Sequence, residues 1–195
     1  MVNTTPPSCP TTPIVTVVDL GGRLGNKIWE YADVWGLSRM LGRQGYVPAS
    51  LLTPLKKLFA NLSLRSMEEI KHCNLSLGGL IYHRDLQPLE ALEEKYKGKH
   101  MLLKSWIFLP KLLLKFVDDA QHEFRFRPEI LQEVEATVER VGGKNRTRIG
   151  IHVRRTDYAG YLHKAQFNSP LVEPTYFQVN KYVKSIENTS LLFLY

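Results

Sequence analysis

Two adjacent arginines follow a short apolar strand in the second half of the chain, within the stretch RIGIHVRRTDYAG at residues 148–160. Guanidinium groups stay charged at any working pH and form bidentate, charge-assisted hydrogen bonds with phosphate oxygens. Arg154 and Arg155 are therefore candidates for binding a diphosphate. The alternative is that both arginines form surface ion pairs with Asp157 and its neighbours.

Two other titratable side chains flank the arginines. His152 alternates with Ile151 and Val153, so it points away from the face on which those two residues pack. A single histidine in such a strand is more typical of a hydrogen-bonded sheet residue than of a catalyst. Asp157 has two interpretations. In the catalytic one it is a general base close to a bound substrate, and in the structural one it orients an arginine or caps the following turn.

A glycine-rich turn, GGRLGN, occupies residues 21–26 and precedes a predicted helix. Backbone N–H groups at a helix N-terminus suit anions, although tight packing of the turn is the other explanation. Arg23 adds a cation that is able to reach across a cleft. The aromatic side chains of the following helix are predicted to lie in the core rather than to form a sugar-stacking platform: Trp29, Tyr31 and Trp35.

The turn and the arginines each follow a predicted strand. Residues 14–20 (IVTVVDL) are β-branched and apolar, and residues 27–41 have helical spacing that ends at Gly42. A strand starting at residues 46–47 would complete a β-α-β unit. Further strands are predicted at 80–83, 101–108, 148–153 and 191–195, and helices within 50–70, 111–116, 128–141 and 174–187. The sequence thus predicts an α/β fold whose ligands bind at strand ends.

Composition limits the classes of partner. The chain has 195 residues and a formal net charge of +7, which fits one domain and part of another. Its lysines and arginines form no long tract, so nucleic-acid binding ranks last among the functions considered. No apolar run is long enough to span a bilayer. Residues 1–13 are rich in threonine and proline and are predicted to form a flexible tail.

Five glycosylation sequons favour a chain that enters the secretory lumen, and they begin at Asn3, Asn61, Asn74, Asn145 and Asn188. Each sequon alone is a weak signal, because the pattern is short. Cys9 and Cys73 can form a disulfide in that compartment, but two cysteines do not establish it. The cysteine count gives no support to a metal cluster.

Together, GGRLGNKIWEYADVWGLSRMLG and IGIHVRRTDY strongly resemble two motifs of the α-1,2-fucosyltransferase family. The second motif is shared in looser form with α-1,6- and protein O-fucosyltransferases, so the ordered pair is more specific than either motif. The similarity runs from about residue 15 to residue 195.

The resemblance implies a GT-B-like architecture. A Rossmann-type N-terminal domain on the acceptor side is expected at residues 14–143, and the beginning of a second, donor-binding Rossmann-like domain at residues 144–195. The implied reaction transfers L-fucose from GDP-β-L-fucose to the 2-hydroxyl of a terminal galactose on a glycan, with inversion and with no obligatory metal or other cofactor. Animal members of the family are type II Golgi membrane proteins, so a lumenal location is expected.

The resemblance also assigns residues. The donor motif corresponds to His152, Arg154, Arg155 and Asp157, and the motif that lines the cleft corresponds to Gly22, Arg23, Gly25 and Asn26. An arginine is expected on the pyrophosphate. From the residues themselves, Arg155 is the first candidate, assisted by Arg154 or Arg23, and Asp157 is the candidate catalytic base; a base in the part of the family sequence that follows residue 195 is the alternative.

The chain departs from the family pattern at two places. Lys27 replaces a common glutamine and is expected to make the cleft more basic. The family also continues past the last strand, so a truncated member is expected. A non-catalytic remnant that binds a glycan or nucleotide, or an enzyme related to α-1,6- or O-fucosyltransferases, remains the alternative.

Overall fold

An α/β architecture runs through the part of the chain that the computed structural model describes, which comprises residues 7–104, 106–140, 147–152 and 189–194. The chain divides into two compact units, Met1–Arg127 and Pro128–Tyr195. All named strands in both units pair in parallel. The predicted α/β class, with Rossmann-like strand–helix–strand units, is therefore confirmed.

The described part of the first unit contains five strands and five α-helices. In chain order they are β1 (Ile14–Val17), α1 (Leu24–Met40), β2 (Gln44–Val47), α2 (Ala49–Lys56), β3 (Arg65–Ser66), β4 (Leu80–Ile81), α3 (Leu92–Lys95), β5 (Met101–Leu103), α4 (Pro110–Leu114) and α5 (Val117–Glu123). Short 3₁₀ turns lie at Met67–Ile70, His83–Leu86 and Leu89–Ala91.

The strand order is β3-β2-β1-β5-β4. From β1 the chain proceeds outward through β2 and β3, and then returns to the other side of β1 for β4 and β5. The order therefore reverses between β1 and β5, which pair from Val15 opposite Met101 to Val17 opposite Leu103. In open α/β sheets, the crevice outside the carboxyl ends of the strands at such a switch point is the usual ligand site.

Both faces of the sheet are covered. Val15 and Val17 of β1 belong to the main core, whereas Ile14 packs with Tyr46 and Ile70 in a smaller cluster on the other face. This alternation follows from the two-residue period of a strand. The main core is built on α1, whose residues from position 30 to position 38 are all buried.

A disulfide joins Cys9 to Cys73. It links the segment before β1 to the loop after the Met67–Ile70 turn and lies beside the smaller core cluster. Cys9 belongs to the segment that the sequence predicts to be a flexible tail, and the disulfide anchors it. His72 lies within 3.6 Å of the Cys73 sulfur, but both sulfurs are in the disulfide, so this group offers no thiolate to a metal.

Several predicted boundaries move in the structure. The first helix starts at Leu24 instead of residue 27, because the turn is completed by two glycines with positive φ and by an extended Arg23. The predicted strand at 101–108 is wrong beyond Leu103, since Trp106 and Phe108 have left-handed backbone conformations. The predicted strand at 80–83 is likewise shorter and ends at Ile81.

The second unit contains helix α6 (Pro128–Arg140) and the strands β6 (Thr147–His152) and β7 (Thr189–Leu194). The two strands pair in parallel along their whole length, from Thr147 opposite Thr189 to His152 opposite Leu194. The helix predicted at 174–187 lies outside the described residues. Among the described helices, none is both long enough and apolar enough to cross a membrane.

Candidate functional site at the switch point of the sheet

Two loops leave the sheet side by side at the switch point. The loop after β1 contains the first half of GGRLGN, whose last three residues begin α1, and the loop after β5 starts at Lys104. A hydrogen bond from the Val18 backbone N–H to the Leu103 carbonyl (3.0 Å) extends the pairing of the two strands into these loops. The predicted cleft motif therefore lies where the strand order predicts a ligand.

The glycine-rich turn depends on left-handed backbone. Gly21 and Gly22 have φ values of +95° and +102°, which other residues rarely adopt. Arg23 follows with an extended backbone and an exposed side chain, and its carbonyl accepts the Lys27 N–H (3.2 Å). This turn brings the first residues of α1 to the carboxyl edge of the sheet.

Asn26 explains why the motif pairs a glycine with an asparagine four residues later. A Cβ at Gly22 would lie 2.6 Å from Nδ2 and 3.0 Å from Cβ of Asn26. The asparagine side chain thus packs directly against the Gly22 backbone. Gly25 differs, because a Cβ there would meet nothing within 4 Å. The chain itself has no steric need for glycine at position 25.

Replacing Gly22 with alanine is expected to lower the free energy of unfolding by about 2 kcal/mol, because it adds backbone strain to a clash with Asn26. Gly25→Ala is the matched control. It is expected to leave stability unchanged or to raise it by up to about 1 kcal/mol, since alanine favours helix. Urea denaturation of the two variants measures both effects, and equal stabilities would contradict the role given to Gly22.

Asp19 organises the turn, and sequence reasoning did not single it out. Its carboxylate accepts hydrogen bonds from the Gly21 N–H (2.8 Å), the Lys27 ammonium (3.1 Å) and the Ser50 hydroxyl. Burial acts to raise the pKa of Asp19, but these hydrogen bonds and the Lys27 charge outweigh it and lower the pKa. A polar residue at a strand end next to a glycine turn was the signal that could have identified it.

The expected effect of Lys27 on the cleft is corrected by this contact. Lys27 is largely buried and its ammonium forms an ion pair with Asp19, at 3.1 Å. Its positive charge is therefore matched by a carboxylate of the same turn. The lysine supports the turn instead of adding a net charge to the surface.

The second loop presents aromatic side chains at the same edge. Trp106 is 46% exposed and Phe108 is 38% exposed, whereas Ile107 and Leu109 between and after them are buried. Phe108 also packs edge-to-face on Trp29 of α1, with ring centroids 5.9 Å apart. Tyr31 and Trp35 lie in the core as predicted, but Trp29 is only half-buried and faces this loop.

Asp33 of α1 holds the aromatic loop. Its carboxylate accepts the backbone N–H groups of Phe108 (3.0 Å) and Leu109 (2.9 Å). Burial raises the pKa of Asp33 to about 7, against the two hydrogen bonds, and the nearby Glu30 charge adds to the rise. Asp33 therefore changes its protonation near neutral pH while it remains inside the fold.

Stability is expected to fall as the pH rises from about 5 to 7, because Asp33 is ionised in the unfolded chain and protonated in the folded one over that window. The loss attributable to Asp33 is on the order of 2–3 kcal/mol. Asp33→Asn mimics the protonated form and should remove this part of the slope. Urea denaturation at intervals of pH tests this, and parallel profiles for the two proteins would contradict it.

A concavity lies at the opposite end of the sheet, where β2 and β3 begin. It encloses about 390 Å³, and Arg39, Arg43 and Arg65 contribute to its lining. Each guanidinium is already bound: Arg39 by Asp119, Arg43 by the Tyr96 and Lys99 carbonyls, and Arg65 by Glu69. This concavity is therefore less suited to an added anion than its arginine content suggests.

The donor motif is described only at its first residue. His152 is the last residue of β6, at the carboxyl end of a parallel pair. Arg154, Arg155 and Asp157 follow directly in the sequence but lie outside the described residues. Their roles remain predictions, and the four residues of the first motif are the ones that the structure brings together.

Two of the five sequon asparagines lie within the described residues. Asn74 is exposed and follows the disulfide cysteine Cys73. Asn61 is half-buried, and its side-chain amide donates a hydrogen bond to the His122 carbonyl (3.1 Å). The sequons at Asn3, Asn145 and Asn188 begin outside the described residues, and modification of all five stays a prediction.

Comparison with known proteins identifies the class. The sequence profile of glycosyl transferase family 11 matches residues 9–178, and the chain belongs to this family. The match includes both the glycine-rich turn and the arginine motif.

The relatives are named as fucosyltransferases. Galactoside alpha-(1,2)-fucosyltransferase 2 of Sus scrofa is 27% identical over 80% of this chain and 46% of its own length. The Rattus norvegicus protein of the same name is 30% identical over 74% of this chain and 44% of its own. Galactoside 2-alpha-L-fucosyltransferase Sec1 of Mus musculus is 29% identical, with 73% and 39% covered.

The chain thus spans less than half the length of these relatives. No solved structure matches it.

Proposed function

We propose that this protein is a fucosyltransferase that transfers L-fucose from GDP-β-L-fucose to the 2-hydroxyl of a terminal galactose on a glycan, with inversion. The observation that carries the proposal is membership of glycosyl transferase family 11 with both motifs present in order. The position of GGRLGN at the switch point of a parallel sheet supports it further, since that is where such folds bind ligands.

In the proposed reaction, the bond between the fucose anomeric carbon and the diphosphate oxygen breaks, and GDP leaves with the electron pair. The galactose 2-hydroxyl oxygen attacks the anomeric carbon from the opposite side. Asp157 is proposed to accept the hydroxyl proton, and Arg155, assisted by Arg154 or Arg23, to neutralise the charge that develops on the diphosphate. No metal is required in this proposal, because guanidinium groups supply the positive charge.

A GT-B-like arrangement is proposed for the complete enzyme. The first unit would form the acceptor-side domain, with Gly22, Arg23, Gly25 and Asn26 lining the cleft. The second unit, which starts at Pro128 and not at the residue 144 expected from sequence, would begin the donor-binding domain and includes His152. The five sequons and the disulfide support a lumenal location, for which we propose the Golgi.

A transfer assay tests the proposal. The protein, expressed from its own gene in a secretory host, is incubated with GDP-fucose and either a β-galactoside, an N-glycan core or a serine-containing peptide domain. Fucose on the galactoside that is released by an α-1,2-specific fucosidase is the expected result.

Transfer to the N-glycan core or to the peptide would assign the related α-1,6 or O-fucosyl activity instead. Unconsumed GDP-fucose with every acceptor, together with retained binding of GDP or a glycan, would show a non-catalytic binding protein.

A further inference from the structure

The aromatic loop after β5 has a strained backbone at two residues. Trp106 and Phe108 have φ values of +63° and +59°. Left-handed backbone costs a residue with a side chain about 1–2 kcal/mol, and such outliers cluster at binding and catalytic sites. Both rings remain substantially exposed, so the left-handed backbone does not serve to bury them in the described core.

Contacts with the core and with helix α1 hold the loop in this conformation. The buried side chains of Ile107 and Leu109 anchor it inward, so the rings at 106 and 108 point outward. Asp33 accepts the N–H groups of Phe108 and Leu109, and Trp29 supports the Phe108 ring from α1. The rings are therefore presented before any ligand arrives, which reduces the entropy lost on binding.

The aromatic loop also lies at the switch point of the sheet, where a ligand is expected. It follows β5, the strand that lies beside β1 across the switch point, and its supports Trp29 and Asp33 come from the same helix that begins in the glycine-rich turn. The two loops therefore leave the same edge of the sheet, and both are attached to helix α1. The turn offers backbone N–H groups and a cation, whereas the aromatic loop offers apolar ring faces.

We propose that Trp106 and Phe108, backed by Trp29, form the surface on which the terminal pyranose of the acceptor glycan stacks. This inference rests on the proposed glycosyl transfer and specifies its acceptor subsite. A galactose ring has an apolar face of C–H groups, which packs on an aromatic ring and leaves the hydroxyls on its rim free for reaction. A diphosphate gains nothing from an aromatic face, so the neutral sugar is the partner that this surface fits.

Trp106→Gly is the most informative variant. Glycine adopts φ near +63° without strain, so the variant is expected to fold with equal or greater stability while it loses the ring. Affinity of the chain for methyl β-galactoside and for GDP is measured separately, by saturation-transfer NMR at sugar concentrations up to about 10 mM. We expect galactoside binding to weaken about fivefold to tenfold and GDP binding to stay unchanged.

Two further variants complete the experiment. Leu114→Ala is the matched control, because Leu114 is 72% exposed on α4 and lies outside the loop; it should leave galactoside affinity unchanged. Phe108→Ala should weaken galactoside binding as Trp106→Gly does. Unchanged galactoside affinity in both loop variants, or no detectable galactoside binding by the original chain, would overturn the proposal.

If another group binds to the surface formed by Trp106 and Phe108, the experiment gives a different result. Loss of GDP affinity in Trp106→Gly would assign the rings to the nucleobase, and a change from dimer to monomer in sedimentation would assign them to a second copy of the chain. Either result overturns the sugar platform. A failure of the proposed transfer can be distinguished from a failure of the stacking proposal, because no fucosylated product would form while the galactoside still bound to the rings. Normal transfer with an unchanged acceptor KM in Trp106→Gly would instead contradict the stacking proposal and leave the proposed transfer activity supported.

Discussion

Replacing Arg155 with alanine is expected to lower kcat/KM for fucose transfer by about 100- to 1,000-fold, the loss typical for one preorganised group that stabilises developing charge. The reason is the diphosphate leaving group. In the proposed reaction, the charge on this group rises as the bond to the anomeric carbon breaks, and the Arg155 guanidinium is proposed to bind two of its oxygens through charge-assisted hydrogen bonds. The transfer assay measures the effect on turnover, and calorimetry with GDP measures the effect on donor binding.

Arg84→Ala is the matched control for charge alone, because the Arg84 side chain is 85% exposed and belongs to the first unit. It should leave both quantities unchanged. Arg155→Lys should recover only part of the activity, since an ammonium keeps the charge but loses the bidentate geometry. Normal turnover and normal GDP affinity in Arg155→Ala would favour the other explanation of the motif, in which the arginines form surface ion pairs.

The first β-α-β unit could be predicted from sequence because its signals are local. A β-branched run gives β1, two glycines end it, helical spacing gives α1, and Gly42 with φ +59° ends that helix. The sequence predicts the start of α1 three residues too late, for a physical reason. Residues 24–26 include a glycine and an asparagine, which have low helix propensity, and the tertiary structure overrides that preference.

The loop after β5 could not be predicted in the same way. Aromatic and β-branched residues at 101–108 favour a strand, but Asp33 accepts the N–H groups of Phe108 and Leu109, about 75 positions away. A single sequence gives no sign that these residues meet. Asp19 has partners only 2, 8 and 31 positions away, so the nearer two of its contacts belong to the same local sequence motif.

Some groups of the candidate site could be predicted from the sequence and others could not, and the difference depends on the type of side chain. Glycines and arginines carry recognisable constraints of backbone and charge, so GGRLGN and the arginine pair are visible in the sequence. The role of the aromatic rings is not visible in the sequence, because residue type alone does not distinguish an exposed tryptophan from one in the core. Only the left-handed backbone and the exposure of Trp106 distinguish it from Trp35, which is buried in α1.

Replacing Glu123 with alanine is expected to reduce the free energy of unfolding by about 3–4 kcal/mol, because it leaves buried donors without their acceptor. Glu123 is buried at the end of α5, and one of its carboxylate oxygens accepts the Ser63 N–H (2.7 Å), the Ser63 hydroxyl (2.9 Å) and the Tyr31 hydroxyl. The Tyr31 oxygen in turn accepts the Leu64 N–H (2.9 Å). Burial, with the Glu123 contact, raises the pKa of Tyr31, so the tyrosine stays a donor.

A double-mutant cycle in urea separates this network from simple loss of packing. Glu123→Ala is combined with Tyr31→Phe, and the double variant should lose less than the sum of the single losses, with a coupling of about 1 kcal/mol or more. Glu123→Gln keeps the shape and one acceptor, and should lose only about 1 kcal/mol. Glu94→Ala is the exposed control and should cause no measurable loss, since its Lys97 partner is equally open to solvent. Additive losses in the cycle, or a Glu123→Ala variant as stable as the Glu94→Ala control, would show that the carboxylate does not hold α5 to α1 and the loop at Ser63.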